Sequence, residues 1–249
     1  MTAAAPSRRV LAQARWETAV LLRNGEQLLL TLVLPALVLV AVSTGDLVGL
    51  DVPAGRSRVD VVAPGVLALA VMSTAFTGQA IGTGFDRRAG VLRLLGTTPL
   101  GRGGLLAGRW LAVLVVEALQ VAVLGATATA LGWSPDPAGL PAAALVVVLG
   151  TAAFTGLALL LAGTLRAEAV LAVANLVWVL LLVGGGVVVP ADELPGPLAS
   201  LAPWLPSGAL GDGMRTALLE GRLDVGPVAV LAAWAAAAGG LAVRRFRWS

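Results

Sequence analysis

The chain contains no cysteine, no histidine and no lysine, and only 12% of its residues are charged. Without Cys there is no disulfide framework, no thiol nucleophile and no thiolate metal site, and redox usage says nothing about compartment. Without His the commonest general base, the usual zinc ligands and the Ser–His–Asp and Cys–His arrangements are also gone. The two absences argue against intrinsic enzymatic chemistry, and neither catalytic residues nor metal ligands are assigned. Without Lys the chain cannot make the Gly-x-x-x-x-Gly-Lys-Ser/Thr phosphate loop, so any nucleotide of that kind would sit on another polypeptide. The scarcity of charge is itself informative, because soluble domains carry roughly 25% charged residues.

What is present is apolar: 58% hydrophobic residues and a mean hydropathy of +0.91. Six apolar segments reach the length of about 20 residues that a ~30 Å hydrocarbon core requires of a helix. They run over Leu28–Val48, Val61–Thr83, Leu105–Leu131, Leu140–Leu165, Val170–Val189 and Pro227–Val243. Pro35 within the first and Pro64 near the start of the second are compatible with spanning helices, whose freed carbonyls find other partners. The sequence therefore predicts an all-α integral membrane protein with six transmembrane helices, forming a single domain over residues 1–249. The surplus of arginine gives a net charge of +3 and a pI near 11.1. Nucleic-acid binding would need a basic face with aromatic platforms on a soluble module, and there is none. The exclusive use of Arg, with abundant Ala and Gly, points to a GC-rich bacterial genome rather than to a function.

Orientation follows from arginine near the span ends. With both termini on the cytoplasmic side, 13 of the 17 arginines fall inside, and only Arg56, Arg58, Arg215 and Arg222 fall outside. Most acids, including Asp46, Asp51, Asp60, Asp192, Glu193, Asp212, Glu220 and Asp224, share that outer side. Residues 1–24 carry four arginines and no apolar run with a cleavage site, so they do not read as a signal peptide. Leu11, Ala14, Thr18, Leu21 and Leu22 lie near one helical face with Gln13 and Glu17 off it, and Trp16 suits an interface. An N-terminal amphipathic helix on the cytoplasmic membrane surface is expected.

Two connections are long enough to hold structure, an inner one over residues 85–104 and an outer one over residues 190–226. The inner one opens with Asp86, Arg87 and Arg88 and continues through Gly90. Val91, Leu92 and Leu95 then form a short apolar ridge, and Gly96 to Pro99 stops the turn. A short helix of this shape suits docking into a partner's cleft. Glu117 is the one carboxylate deep in a span and would cost about 2.5–3.5 kcal/mol at a helix centre. Gln120, Leu124 and Thr127 follow it at i+3, i+7 and i+10. Two readings stand side by side: a polar stripe along a substrate path or subunit seam, or a hydrogen-bonded acid acting as packing glue. Ala70, Thr74, Gly78 and Gly82 recur every four residues, the spacing of close helix packing. Trp110, Trp133, Trp178 and Trp248 fall near span ends and read as interfacial anchors.

With these residues in view, the chain resembles the type-2 ABC transporter permease family, which includes bacterial drug, lipid and polysaccharide exporters such as the daunorubicin-resistance permeases. The resemblance rests on Asp86, Arg87, Gly90, Leu92, Leu95, Thr98, Pro99 and Leu100 in the inner loop. In the outer loop it rests on Val189-Pro190, Leu194-Pro195, Pro203-Trp204-Leu205-Pro206 and Gly213 to Arg215. Arg88 departs from the pattern, since many relatives carry Glu there. The resemblance implies a six-span permease with short re-entrant outer helices between spans five and six, in a bacterial cytoplasmic membrane. It also implies that residues 85–104 couple to cytosolic ATPase subunits that bind ATP and Mg, and that a second permease copy, identical or related, completes a twelve-helix unit among membrane lipid. Efflux of an amphipathic drug, lipid or glycan is the implied activity. An ATP-independent secondary transporter or channel would show paired charges at the midplane of several spans, a pattern that only Glu117 fits. A membrane scaffold or assembly factor would leave no distinguishing sequence feature.

Overall fold

The computed structural model describes residues 4–45, 52 and 55–248, with only the backbone of Glu26. Asp46 and Asp51, and the end of the first predicted span at Val48, lie outside the described residues. Helices account for nearly all of what is described, and no strand occurs among those residues. In chain order these are α1 (Pro6–Arg23), α2 (Gly25–Thr44), α3 (Arg58–Met72), α4 (Gln79–Arg88), α5 (Val91–Gly96), α6 (Gly101–Ala130), α7 (Leu140–Thr164), α8 (Ala167–Gly184), α9 (Pro197–Leu201), α10 (Pro206–Glu220) and α11 (Val225–Arg245). Six helical stretches are long and apolar enough to span a bilayer: α2, the continuous α3–α4 unit, α6, α7, α8 and α11. In hydrocarbon this is the expected outcome, because a helix satisfies its own backbone and an open strand edge does not.

The second span contains an element that no apolar periodicity announced. Between α3 and α4 the helix widens to a π segment, Ser73–Gly78. The wide turn is held by its own hydroxyls and by neighbours: Ser73 Oγ donates to Leu69 O at 2.8 Å, and Trp178 Nε1 of α8 donates to Ser73 Oγ at 3.0 Å. One extra residue per turn rotates α4 relative to α3. The predicted stripe of Ala70, Thr74, Gly78 and Gly82 is thereby broken. Ala70 is buried, but a Cβ at Gly82 would meet nothing within 4 Å. The tight helix pair lies elsewhere, between α7 and α11, where a Cβ on Gly156 would sit 2.9 Å from the backbone nitrogen of Gly239.

The core runs through the α3–α4 unit, α6, α7 and α10, with Met72, Phe76, Phe154 and Leu210 all essentially inaccessible. Phe76 and Phe154 meet with ring centroids 6.3 Å apart in a tilted arrangement, within the range of favourable aromatic pairs. α2 and α8 are peripheral: Leu30, Leu34 and Leu37 on the first and Leu176, Leu180 and Val183 on the second are each more than half exposed. Such faces match lipid rather than water.

Residues 190–226 hold more structure than a loop. The fifth span stops at Gly184, five residues before its predicted end, and the chain turns through α9 into α10. α10 packs back among α3, α7 and α11, with Ser207, Ala209, Leu210 and Met214 buried. Arg215 on α10 donates to Gly186 O at 2.7 Å and Val187 O at 3.2 Å and pairs with Asp212 at 2.7 Å, which fixes the turn after α8. Short helices thus lie between spans five and six as expected, and α10 packs back into the bundle.

The four tryptophans read as anchors are more internal than a lipid-facing belt would be, whereas Trp16 and Trp204 are exposed. Trp133 is buried, Trp178 bonds the π segment, Trp110 Nε1 donates to Val148 O at 3.3 Å, and Trp248 packs edge-on against Phe246 with centroids 5.3 Å apart.

Candidate functional site

The site lies at the arginine-rich end of the bundle, where α1, the tail of α4, α5 and the first turns of α6 converge. The predicted loop 85–104 begins inside a helix, since α4 continues through Arg88. Gly90 then adopts φ +77°, a left-handed conformation that disfavours a side chain, and turns the chain into α5. Thr97 Oγ1 and Thr98 Oγ1 each donate back at 2.7 Å, to Leu94 O and Leu95 O, and close α5 before α6 begins. Pro99 O accepts from the Arg9 guanidinium of α1, which pins the far side of this elbow.

The apolar ridge of α5 faces its own bundle. Leu92 is fully buried against Leu105, Leu159, Ala242 and Phe246, with Leu95 packed partly against the same cluster. The ridge expected to enter a partner's cleft is thus an internal contact. The surface left outward is Arg93, Leu94 (71% exposed) and the Gly96–Pro99 tip. Arg87 also turns inward, donating to Leu165 O at 2.7 Å, Gly163 O at 3.1 Å and Arg247 O at 2.6 Å, and so ties α4 to the end of α7 and the C-terminal segment. Arg88 stays exposed on the other side of α4, beside α8.

The group that joins these elements is Arg109, nine residues into α6 and only 2% exposed. Its guanidinium lies 3.0 Å from Glu17 Oε1 of α1 and bonds Asp86 and Thr83 of α4. Gln13 Nε2 donates to the same Glu17 oxygen at 2.9 Å. One buried cation therefore holds three helices. Burial pushes the Glu17 carboxyl above its ordinary value, against the opposing pull of Arg109. The α1 helix is amphipathic as expected, and its polar stripe rather than its leucine face packs on the bundle. Gln13, Ala14 and Glu17 are its buried face, while Leu11, Trp16, Val20 and Leu22 point outward. In water, α1 would bury its leucines; beside a bilayer, those leucines have lipid to face, and the polar stripe is free to bond the protein.

Sequence reasoning counted Arg109 only as one positive charge near a span end. The available signal was spacing: Glu17 and Gln13 are four apart on one helix face, and Thr83 and Asp86 are three apart on another, each pair able to address a single cation.

The stripe on α6 divides between different partners. Glu117 is buried and its Oε2 accepts from Thr151 Oγ1 of α7 at 2.5 Å. Gln120, also buried, donates to Thr31 O of α2 at 2.7 Å and accepts from Thr74 of the π segment at 3.3 Å. Thr127 bonds its own helix at Val123 O, 2.9 Å away. Glu117 and Gln120 thus join α6 to its neighbours inside the bundle, and Thr127 takes no part in that link.

Among the described residues no group of three or more His, Cys, Asp or Glu could hold a metal ion. Fold and site together define a polytopic α-helical membrane protein, with a braced helical elbow at one end and short helices packed into the bundle at the other. A family model described as ABC-2 family transporter protein matches residues 53–244, and the chain belongs to that family. No curated protein matches the chain.

Proposed function

We propose that this chain is the permease subunit of an ATP-driven exporter in a bacterial cytoplasmic membrane. The whole chain acts as one transmembrane domain, with both termini and residues 85–104 on the cytoplasmic side and residues 190–226 outside; the arginine distribution supports that orientation. ATP and Mg²⁺ belong to separate cytosolic ATPase subunits, and two permease copies, identical or related, form the twelve-helix pathway. The cargo is an amphipathic molecule of the drug, lipid or glycan class, moved outward.

The single observation that carries this reading is the buried Arg109 bridge. It joins the elbow that presents Arg93, Leu94 and the Thr97–Pro99 tip both to α1 and to the longest unbroken helix of the bundle. A push on that tip by a closing ATPase pair moves α4, α1 and α6 as one body, because the elbow turns on Gly90 and is clamped by Asp86 and Arg87. Glu117 and Gln120 then pass the movement to α7 and α2.

The test is mild detergent extraction of the tagged chain, identification of co-purifying proteins, and measurement of ATP hydrolysis by the complex. A stoichiometric partner with a Walker A motif, whose hydrolysis is uncoupled by Gly90→Pro, supports the proposal. A clean, ATP-indifferent homo-oligomer overturns it in favour of a secondary transporter.

A further inference from the structure

Between the last turn of α4 and the first turns of α8 lies an open groove of about 260 Å³. Gly84 of α4 and Val170 of α8 both line it and lie against each other, a Cβ at Gly84 meeting Val170 at an ordinary 3.5 Å. Phe85 and Leu171 wall it and are 61% and 49% exposed, and Ile81 continues its apolar lining. Arg88 and Glu168 stand on the rim. Both are exposed, and neither has an ion pair with the other or with any other described residue.

The depth of the groove follows from the spans. Arg88 ends one candidate span and Ala167 begins another, so the apolar floor lies at the margin of the hydrocarbon and the charged rim at headgroup level. An apolar slot at that depth with one cation and one carboxylate at its mouth matches a zwitterionic headgroup attached to an acyl chain. A second copy of this chain is a poorer fit, because a two-fold axis would set one concave groove against another and fill neither.

We propose that this groove binds one phospholipid carrying a phosphoethanolamine headgroup. Arg88 takes the phosphate, a pairing in which guanidinium geometry is favourable. Glu168 takes the ammonium and repels anionic headgroups that lack a positive charge. The acyl chain lies along Phe85, Ile81 and Leu171. This assignment is independent of the cargo and gives the exposed Arg88 a role facing lipid.

The experiment is native mass spectrometry of the full chain in detergent, titrated with dioleoylphosphatidylethanolamine or with dioleoylphosphatidylglycerol. The expected result is one ethanolamine lipid per chain, retained about tenfold better than the glycerol lipid, a difference worth one well-made charge contact. Arg88→Gln lowers retention of both lipids, and Glu168→Gln brings the glycerol lipid up to the ethanolamine level. Ala167→Phe, which puts a ring into the groove from its lining, removes both while leaving the thermal midpoint unchanged. Equal retention of the two lipids by the natural chain overturns the proposal, as does an adduct that survives both Arg88→Gln and Ala167→Phe. A Phe85→Cys chain, otherwise free of cysteine, that cross-links to a second copy with no lipid bound also overturns it and assigns the groove to a subunit contact.

Discussion

Replacing Arg109 by methionine keeps most of the side-chain volume and removes the charge that Glu17 and Asp86 share. Breaking a buried ion pair by deleting one partner costs about 3–5 kcal/mol. Two features of the site move the expectation toward the lower end. The Asp86 side chain is 27% exposed, so water screens part of its loss, and Glu17, already held above the ordinary carboxylate range by burial, can take up a proton once the cation is gone. An effect of about 3 kcal/mol on α1 docking remains, which is roughly a hundredfold in the population of undocked helix. Limited trypsin digestion reads this population directly, because Arg15 and Arg23 lie on α1 and cleavage follows the open fraction when opening is fast. Cleavage at those sites should accelerate about a hundredfold in Arg109→Met. Glu17→Gln alone should accelerate it less, and the double variant should fall well short of the product of the two, since it leaves no unpaired carboxylate on α1. Equal cleavage of Arg109→Met and the natural chain, or strict additivity of the two changes, would refute the bridge.

Four further outcomes follow from the same contacts. Because burial raises the Glu17 carboxyl, the folded state holds a proton more tightly than the unfolded chain, and this group's contribution is present at low pH and lost as pH rises above about 4.5 through the raised value; thermal midpoints from pH 4 to pH 8 should fall more steeply for the natural chain than for Glu17→Gln. Gly90→Val places a β-branched residue in the left-handed region, at about 1–2 kcal/mol, and should uncouple ATP hydrolysis from transport while expression and detergent extraction stay normal. Leu92→Ala removes a fully buried side chain and should destabilise the fold by about 2–4 kcal/mol, whereas Leu94→Asp on the outward face should leave the thermal midpoint alone and weaken ATPase co-purification. Glu117→Gln keeps an acceptor for Thr151 and should stay within about 1 kcal/mol of the natural stability; a full loss of transport in that variant would move Glu117 from packing to the substrate path.

The six spans were legible because spanning hydrocarbon is a length-and-composition requirement, and α6, α7 and α11 begin and end within a few residues of the apolar runs. What stayed hidden depended on groups meeting across the bundle. The π segment is bonded through Ser73 and Thr74 inside an apolar run, a signal too small to separate from tolerated polar residues until Trp178 and Gln120 are seen to bond it. The fifth span was read too long because Val187 to Val189 are as apolar as the span itself, and only the turn at Gly185 and Gly186, held by Arg215, removes them from it. In the inner elbow the apolar ridge of α5 covers its own bundle, with Leu92 buried; the sequence does not separate that from docking on a partner, since an apolar ridge on a short helix looks alike whether a partner or its own chain covers it.

The case of α1 shows why that ambiguity is physical. A helix at the edge of a bilayer has two apolar media available, the protein and the lipid, and hydrophobic patterning alone cannot choose between them. The choice falls to the polar residues, which have a strong preference: a buried Arg109 needs Glu17, whereas Leu11 and Val20 are equally well served by acyl chains. In such a helix the stripe of Gln13 and Glu17 sets the docked face and the leucines follow. The same rule applies to α6, where Glu117 and Gln120, rather than the apolar residues around them, select α7 and α2 as neighbours. For a transporter that must shift helices against one another, contacts made by a few directional bonds in a low-dielectric interior have discrete alternatives, and the apolar faces sliding past lipid impose little resistance. The polar contacts of Glu117 with α7 and of Gln120 with α2 are therefore where two conformations of this chain should differ, and a cross-link between α6 and α7 that spares the fold should arrest transport, whereas one between α1 and α6, which move together, should not.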